Sequence, residues 1–225
     1  MVFDLLGVSL FDFMKENGFG PFDLREVQHF AVQLMAALDH MHAHKLTHTD
    51  LKPEIIMVDH PEKFKSRVPG GKLKYVLKRT NITVIDFGSA TFEDEHHTSI
   101  VSTRHYRAPE VILSLTWSHP CDLWSIGCIL MELFTGAALF QTHDDIEHLA
   151  MMEQILGPIS KEMVKEATRM LKRKDKVFFD INNQLLWPAK AKEKDSKKFV
   201  MQHCKPFKEL ITGKDQLHGE CLELM

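Results

Sequence analysis

Apolar positions change rhythm along the chain, and each change predicts a different element. Between residues 23 and 44, Val27, Phe30, Ala31, Leu34, Leu38 and Met41 recur at helical spacing. Asp23 precedes them and Glu26 follows three residues later, a capping-box pattern, so the spacing predicts a helix over 23–44. Its last turn carries His40, His42 and His44, where positive charge suits the helix dipole. Ile55-Ile56-Met57-Val58, Leu73-Lys74-Tyr75-Val76-Leu77 and Ile82-Thr83-Val84-Ile85 are short, β-branched or aromatic runs that predict strands. Residues 60–81 are basic and hold the turn signal Pro69-Gly70-Gly71, which predicts a hairpin-like insertion with a solvated charged face.

Further on, His119-Pro120 opens an apolar stretch running through Trp124 and Ile129 to Phe134 and stopping at Gly136. A helix apolar on every side is a buried central helix. The run from Trp124 to Phe140 is broken by Glu132, Gly127 and Gly136 and is too short to span a bilayer. Thr142, with Asp145 three residues on, predicts another helix, ended by Gly157-Pro158. Residues 161–173 read as an exposed helix and Lys190 to Lys198 as a charged surface loop. No internal repeat is visible.

Composition narrows the classes. The 225 residues allow one or two domains with a sizeable core. A net charge of -3 gives no bulk reason to expect nucleic-acid binding. Cys121, Cys128, Cys204 and Cys221 form no CxxC pair and read as reduced thiols of an intracellular protein. Met1-Val2-Phe3-Asp4 lacks a basic n-region, so no secretory signal is expected. His40 and His44 share a helix face, but no cysteine or carboxylate cluster completes a metal site.

The candidate chemistry lies in residues 47–55, Thr-His-Thr-Asp-Leu-Lys-Pro-Glu-Ile, which space His48, Asp50 and Lys52 two apart beside a stiffening proline. Asp86-Phe87-Gly88 follows the strand-like Ile82–Ile85, and Ala108-Pro109-Glu110 comes later. Each triplet alone is weak. In this order and spacing the set resembles the catalytic half of a protein kinase: catalytic loop, metal-binding triplet and end of the activation segment. Glu147-His148-Leu149-Ala150-Met151-Met152-Glu153 resembles the signature of the LAMMER (Clk-type) kinases, with Gln154 where the signature ends in arginine. Ser102-Thr103-Arg104-His105-Tyr106-Arg107 and Phe140-Gln141-Thr142-His143-Asp144 are similar to that family too.

The resemblance implies a mainly α fold with a small β component, the large C-terminal lobe of a kinase without its N-lobe. Residues 1–14 would be the hinge, and 15–225 the lobe, truncated before its last helices. It implies ATP and Mg2+ as cofactors, with Phe3 as gatekeeper, Asp4 and Leu6 as hinge contacts and Met57 under the adenine. Asp50 would be the base, Lys52 the γ-phosphate contact, Asp86 the metal ligand, and Thr103 the group orienting Asp50 and Lys52. Ser102, Arg104 and Arg107 would shape the substrate-facing segment. Asp122 would accept backbone N–H groups of the catalytic loop. Implied substrates are Ser/Thr, with Tyr as a further acceptor, in arginine-serine-rich splicing factors. The implied location is nuclear, with a cytoplasmic pool left open, and no membrane or direct nucleic-acid partner is implied.

Departures from the family pattern set a second expectation. Ile55 stands where the family has the Asn that offers an oxygen to a second Mg2+. Thr49 replaces the arginine that usually pairs with an activation-segment phosphate, as it does throughout the LAMMER kinases. No stretch offers a GxGxxG loop, and Glu110 would need an arginine further on. Such a chain is expected to turn over weakly or not at all. The alternatives are a non-catalytic kinase-like module that binds a partner near Arg104 and the LAMMER-like helix, or a decayed product that folds poorly.

Overall fold

The computed structural model describes residues 4–60, 62–67, 73–171 and 177–211, so Phe3 and the Pro69-Gly70-Gly71 turn lie outside the described residues. The chain divides into two compact units, one made of residues 1–96 and 122–139, the other of residues 97–121 and 140–225.

The first unit opens with α1 (Leu10–Glu16), capped by Ser9, whose Oγ accepts from the Asp12 amide at 3.0 Å. The stretch expected as hinge therefore ends in a helix. Its Leu10, Phe13 and Met14 are buried, a pattern too short to read in the sequence. α2 (Leu24–Ala43) carries the anticipated capping box between Asp23 and Glu26, and buries Val27, Phe30, Leu34, Leu38 and Met41 on the predicted face. Phe22 links the two helices: its ring stacks on Phe13 at 5.5 Å and meets Phe30 edge-on at 5.2 Å. Aromatic pairs of this kind add about 0.5–1.5 kcal/mol beyond their area. The Phe22 amide donates to Leu133 O at 2.9 Å, tying this corner to α4 (Pro120–Thr135). Gly136 ends α4 at φ 85, and a Cβ there would lie 2.2 Å from Phe19 O, so only glycine fits.

Short antiparallel pairs place the loops. β1 (Leu46–Thr47) pairs with β6 (Thr91–Phe92), β2 (Ile56–Val58) with β5 (Ile82–Val84), and β3 (Lys63–Arg67) with β4 (Leu73–Leu77). The third pair is the expected insertion. It is fastened to the end of α1 by Asn17, whose Oδ1 accepts from the Tyr75 amide at 2.8 Å and whose Nδ2 donates to Tyr75 O at 2.9 Å. One side-chain amide thus does what a neighbouring strand's peptide would do. Lys63 pairs with Glu16, and Lys74 with Asp23 at 3.4 Å, so part of the basic face is neutralised within the unit.

The second unit holds α3 (Pro109–Ile112), α5 (Asp145–Leu156), α6 (Lys161–Leu171), α7 (Ser196–His203) and α8 (Phe207–Leu210). α5 is capped at Asp144 rather than Thr142; Thr142 instead receives the Asp144 amide at 3.1 Å and donates to Glu147 Oε1 at 2.6 Å. Gly157 closes the helix at φ 97. α6 buries Val164 and Ala167, so the helix expected to be exposed is amphipathic. The charged stretch read as a loop turns helical at Ser196, because Ser196 and Val200 are buried and the Ser196 Oγ accepts from Trp187 Nε1 at 2.8 Å. Cys128 and Cys204 are buried, and burial raises the Cys204 thiol to about 11.

The LAMMER-like run is interior: every residue from Glu147 to Met152 is buried. Elsewhere on that helix Asp145, Glu153 and Gln154 are partly exposed and Leu156 is exposed. His148 is 0 % exposed, packs against Phe140 with ring centroids 5.2 Å apart, and neither ring nitrogen has a hydrogen-bond partner among the described residues. Burial pushes its pKa down to about 3, helped by the cations Arg104 and Arg107 and by His105, against a smaller opposing effect of Asp145. A folded-state pKa below the ordinary 6.5 means that the unfolded chain binds this proton first as pH falls. Stability is unaffected above 6.5 and drops between 6.5 and 3, by roughly 5 kcal/mol in all at 1.36 kcal/mol per unit. His148→Leu should flatten this part of the stability–pH curve and cost little at neutral pH, since it removes a polar ring without partners. Urea midpoints at pH 7, 6, 5 and 4 test this; parallel curves for the two proteins would refute it.

Candidate active site

The site is built on a strained turn. Thr49 sits at φ 69, a left-handed conformation that a β-branched residue adopts at a cost of about 1–2 kcal/mol. Asp122, fully buried at the start of α4, holds that turn: Oδ2 accepts from the His48 amide at 2.8 Å and Oδ1 from the Thr49 amide at 2.9 Å. His42, from the last turn of α2, places Nε2 3.1 Å from the same Oδ2. This is the role anticipated for Asp122. The contribution of His42 was hidden in a cluster of three histidines whose spacing suggested only dipole compensation.

The Thr49 hydroxyl donates to Ser89 O at 2.8 Å. It takes hold of the backbone just beyond Asp86-Phe87-Gly88, and β1–β6 pairing adds a second tie between the catalytic loop and that segment. His48 joins the other pieces. Its Nε2–H donates to Ile85 O at 3.1 Å, the Asp50 amide donates to Nδ1 at 3.4 Å, and its ring lies 5.1 Å from that of Phe87.

Asp50 and Lys52 meet: Lys52 Nζ lies 2.7 Å from Asp50 Oδ2, with both side chains under a quarter exposed. Ile55 ends a short 3-10 turn, Pro53–Ile55. Its amide donates to Lys52 O at 3.1 Å and its carbonyl accepts from Ile85 at 3.0 Å. The β2–β5 register continues into that last bond, which sets residue 55 opposite the residue before Asp86. Asp86 is exposed, at φ 63 and ψ 70, with Oδ1 accepting from the Gly88 amide at 3.3 Å. Asp50, Lys52 and Asp86 are therefore joined through His48, Ile55 and Ile85.

The expected nucleotide side is also placed. The chain from Gly7 to Ser9 runs antiparallel along β2: Gly7 donates to Val58 O at 2.8 Å, Val58 to Val8 O at 2.9 Å, and Ser9 bridges to Met57. Met57 is half-buried between Ser9 and Thr83, and Asp4 and Leu5 are exposed just before Leu6.

Ser102, Thr103, Arg104 and Arg107 belong to the second unit. Thr103 precedes the 3-10 turn Arg104–Tyr106. Arg104 Nη1 pairs with Asp145 Oδ1 at 2.6 Å. Arg107 points into its own segment: Nε donates to Val101 O at 2.9 Å and Nη2 to Ser102 O at 2.7 Å, which supports Ser102 at φ 66. Trp117 Nε1 donates to Thr98 O at 2.7 Å while His97 stacks on the indole at 4.3 Å. Burial raises the pKa of the Glu110 carboxyl, and no cation pairs with it among the described residues.

Three comparisons bear on this geometry. The protein kinase domain profile matches residues 1–212. The chain belongs to the protein kinase family. It is 48% identical over its whole length to the dual specificity protein kinase CLK4 of Homo sapiens, covering 45% of that protein. It is 50% identical to the serine/threonine-protein kinase Doa of Drosophila melanogaster, covering 27% of it. The chain thus spans less than half the length of these relatives. A crystal structure of a kinase domain superposes with a TM-score of 0.84 at 41% identity, over 93% of this chain and 62% of that one. Among the described residues, no helix is long and apolar enough to cross a membrane.

Proposed function

We propose that the chain is the catalytic-loop part of a Clk-type dual-specificity kinase that moves the γ-phosphate of ATP to Ser and Thr, and to Tyr, of arginine-serine-rich splicing factors in the nucleus. The Asp50–Lys52 pair, held by the His48–Asp122 network, is the observation that carries this reading. In that role Asp50 accepts the proton of the attacking hydroxyl, and Lys52 Nζ meets the γ-phosphate oxygens as a point charge. Gly7 to Ser9 and Met57 flank the adenine side, with Phe3, Asp4 and Leu6 just before them. Mg2+ bound at Asp86 would neutralise charge shared by the phosphates. One exposed carboxylate fits that ion, which takes most of its oxygens from phosphate and water.

Ile55 supports slow turnover, and it is also what favours the second reading, a non-catalytic kinase-like module. Incubating the protein with Mg-ATP and an arginine-serine peptide, and counting phosphates by mass spectrometry, separates the two. Phosphate on serine is the expected result. A protein that melts cooperatively and transfers nothing would establish the module instead.

Three side-chain ties, each within one unit, support a segment ordered without a phosphate. Thr49 ties Ser89, Trp117 ties Thr98, and Arg107 ties Val101 and Ser102, each through backbone carbonyls. Phosphatase treatment should accordingly leave transfer within about twofold, where a segment ordered by an Arg–phosphate pair would collapse. A fall of about tenfold or more would mean that a phosphate supplies the order after all.

A further inference from the structure

We propose that this protein binds its nucleotide with one divalent cation, held by Asp86, and that Ile55 closes the second cation position; the inference rests on the kinase reading above. Kinases of the usual pattern hold two Mg2+ ions, on the aspartate of the Asp-Phe-Gly triplet and on the catalytic-loop asparagine. Here the geometry linking the two positions is intact. The Ile55 carbonyl accepts from Ile85, directly before Asp86, at 3.0 Å. What has changed is the chemistry at residue 55.

The Ile55 side chain offers no oxygen and is 5 % exposed, followed in sequence by the buried Ile56. Its one oxygen, on the backbone, is committed to Ile85. The catalytic-loop carboxylate of Asp50 already has Lys52 on Oδ2 at 2.7 Å. Among the described residues no group of three or more His, Cys, Asp and Glu side chains gathers to replace the missing ligand. Magnesium dehydrates reluctantly and needs near-octahedral oxygen donors, so an apolar wall beside it is costly. The site therefore keeps one ion, with Lys52 as the remaining positive charge beside the phosphates.

The test is a count, independent of turnover. The protein in its full natural length is loaded with the β,γ-imido analogue of ATP and titrated with Mn2+, and bound metal per bound nucleotide is read by equilibrium dialysis and electron paramagnetic resonance. One Mn2+ per nucleotide is expected, with the sharp hyperfine pattern of an isolated ion. Two ions about 3.5–4 Å apart would broaden each other's signal. Ile55→Asn should raise the count to two and bring that broadening. Two ions on the natural protein would overturn the inference and leave the kinase reading standing. A second ion that fails to appear in a folded Ile55→Asn protein would overturn the role of residue 55. No nucleotide bound to either protein would overturn both readings. The natural protein's count decides the matter if the variant does not fold.

Discussion

Replacing Asp50 with Asn is expected to lower phosphate transfer about 10²–10⁴-fold, the usual contribution of a positioned general base. The amide keeps the size and the backbone setting of the carboxylate, so the His48 contact to residue 50 should survive. What is lost is the capacity to take a proton, together with the charge that Lys52 meets at 2.7 Å. Lys52 and Asp50 are both partly exposed, so breaking their pair should change stability by no more than about 1 kcal/mol. The signature is thus a slow enzyme that melts like the parent. Phosphates counted on an arginine-serine peptide, beside a thermal melt of each protein, provide both readings. Equal transfer by the two proteins would remove Asp50 from the chemistry.

Asp122→Ala should be the most damaging single change to the fold of the site. It leaves the His48 and Thr49 amides, both buried, without acceptors. Each orphaned buried donor costs about 1–3 kcal/mol, so the loss is about 2–6 kcal/mol. That is a large share of the roughly 5–15 kcal/mol that holds a domain together. Thr49 has little reason to stay at φ 69 once its amide is free, and relaxation of that turn would carry Asp50 with it. Thr49→Gly in the Asp122→Ala background should restore part of the stability, since glycine adopts positive φ without penalty. Denaturant midpoints of the three proteins measure this, and an Asp122→Ala protein as stable as the parent would show that the turn is held some other way.

Much of this was legible because it depends on local pattern. The capping box at Asp23 and Glu26, the apolar face of α2, the buried α4 and the stop at Gly136 all follow from spacing and side-chain type, and the structure has them in place. The catalytic loop and the Asp-Phe-Gly triplet could be ordered in sequence but not joined. The joints are a backbone bond from Ile85 to Ile55, which carries no residue-specific signal, and a bond from the His48 ring to the Ile85 carbonyl, whose acceptor carries none; only the Asp122 anchor of His48 could be anticipated. α1 was missed because Leu10–Glu16 is barely two turns long, and α7 because a run of charge hides the buried Ser196 and Val200. The LAMMER-like motif was recognisable as a string of residues, yet nothing in the string says that it faces inward. That follows from tertiary packing, which places Glu147 on Thr142 and His148 on Phe140.

The Asp122 anchor also has a consequence for synthesis. The bonds from Asp122 to His48 and Thr49 span 74 and 73 residues of chain. At about 5–20 residues per second, a ribosome takes roughly 4–15 s to travel from the catalytic loop to its anchor. Throughout that interval the Asp50 turn has been made but cannot close, and the whole activation segment is made before the residue that fixes its neighbour. The catalytic turn therefore stays without its anchor until Asp122 has been added, 74 residues after His48.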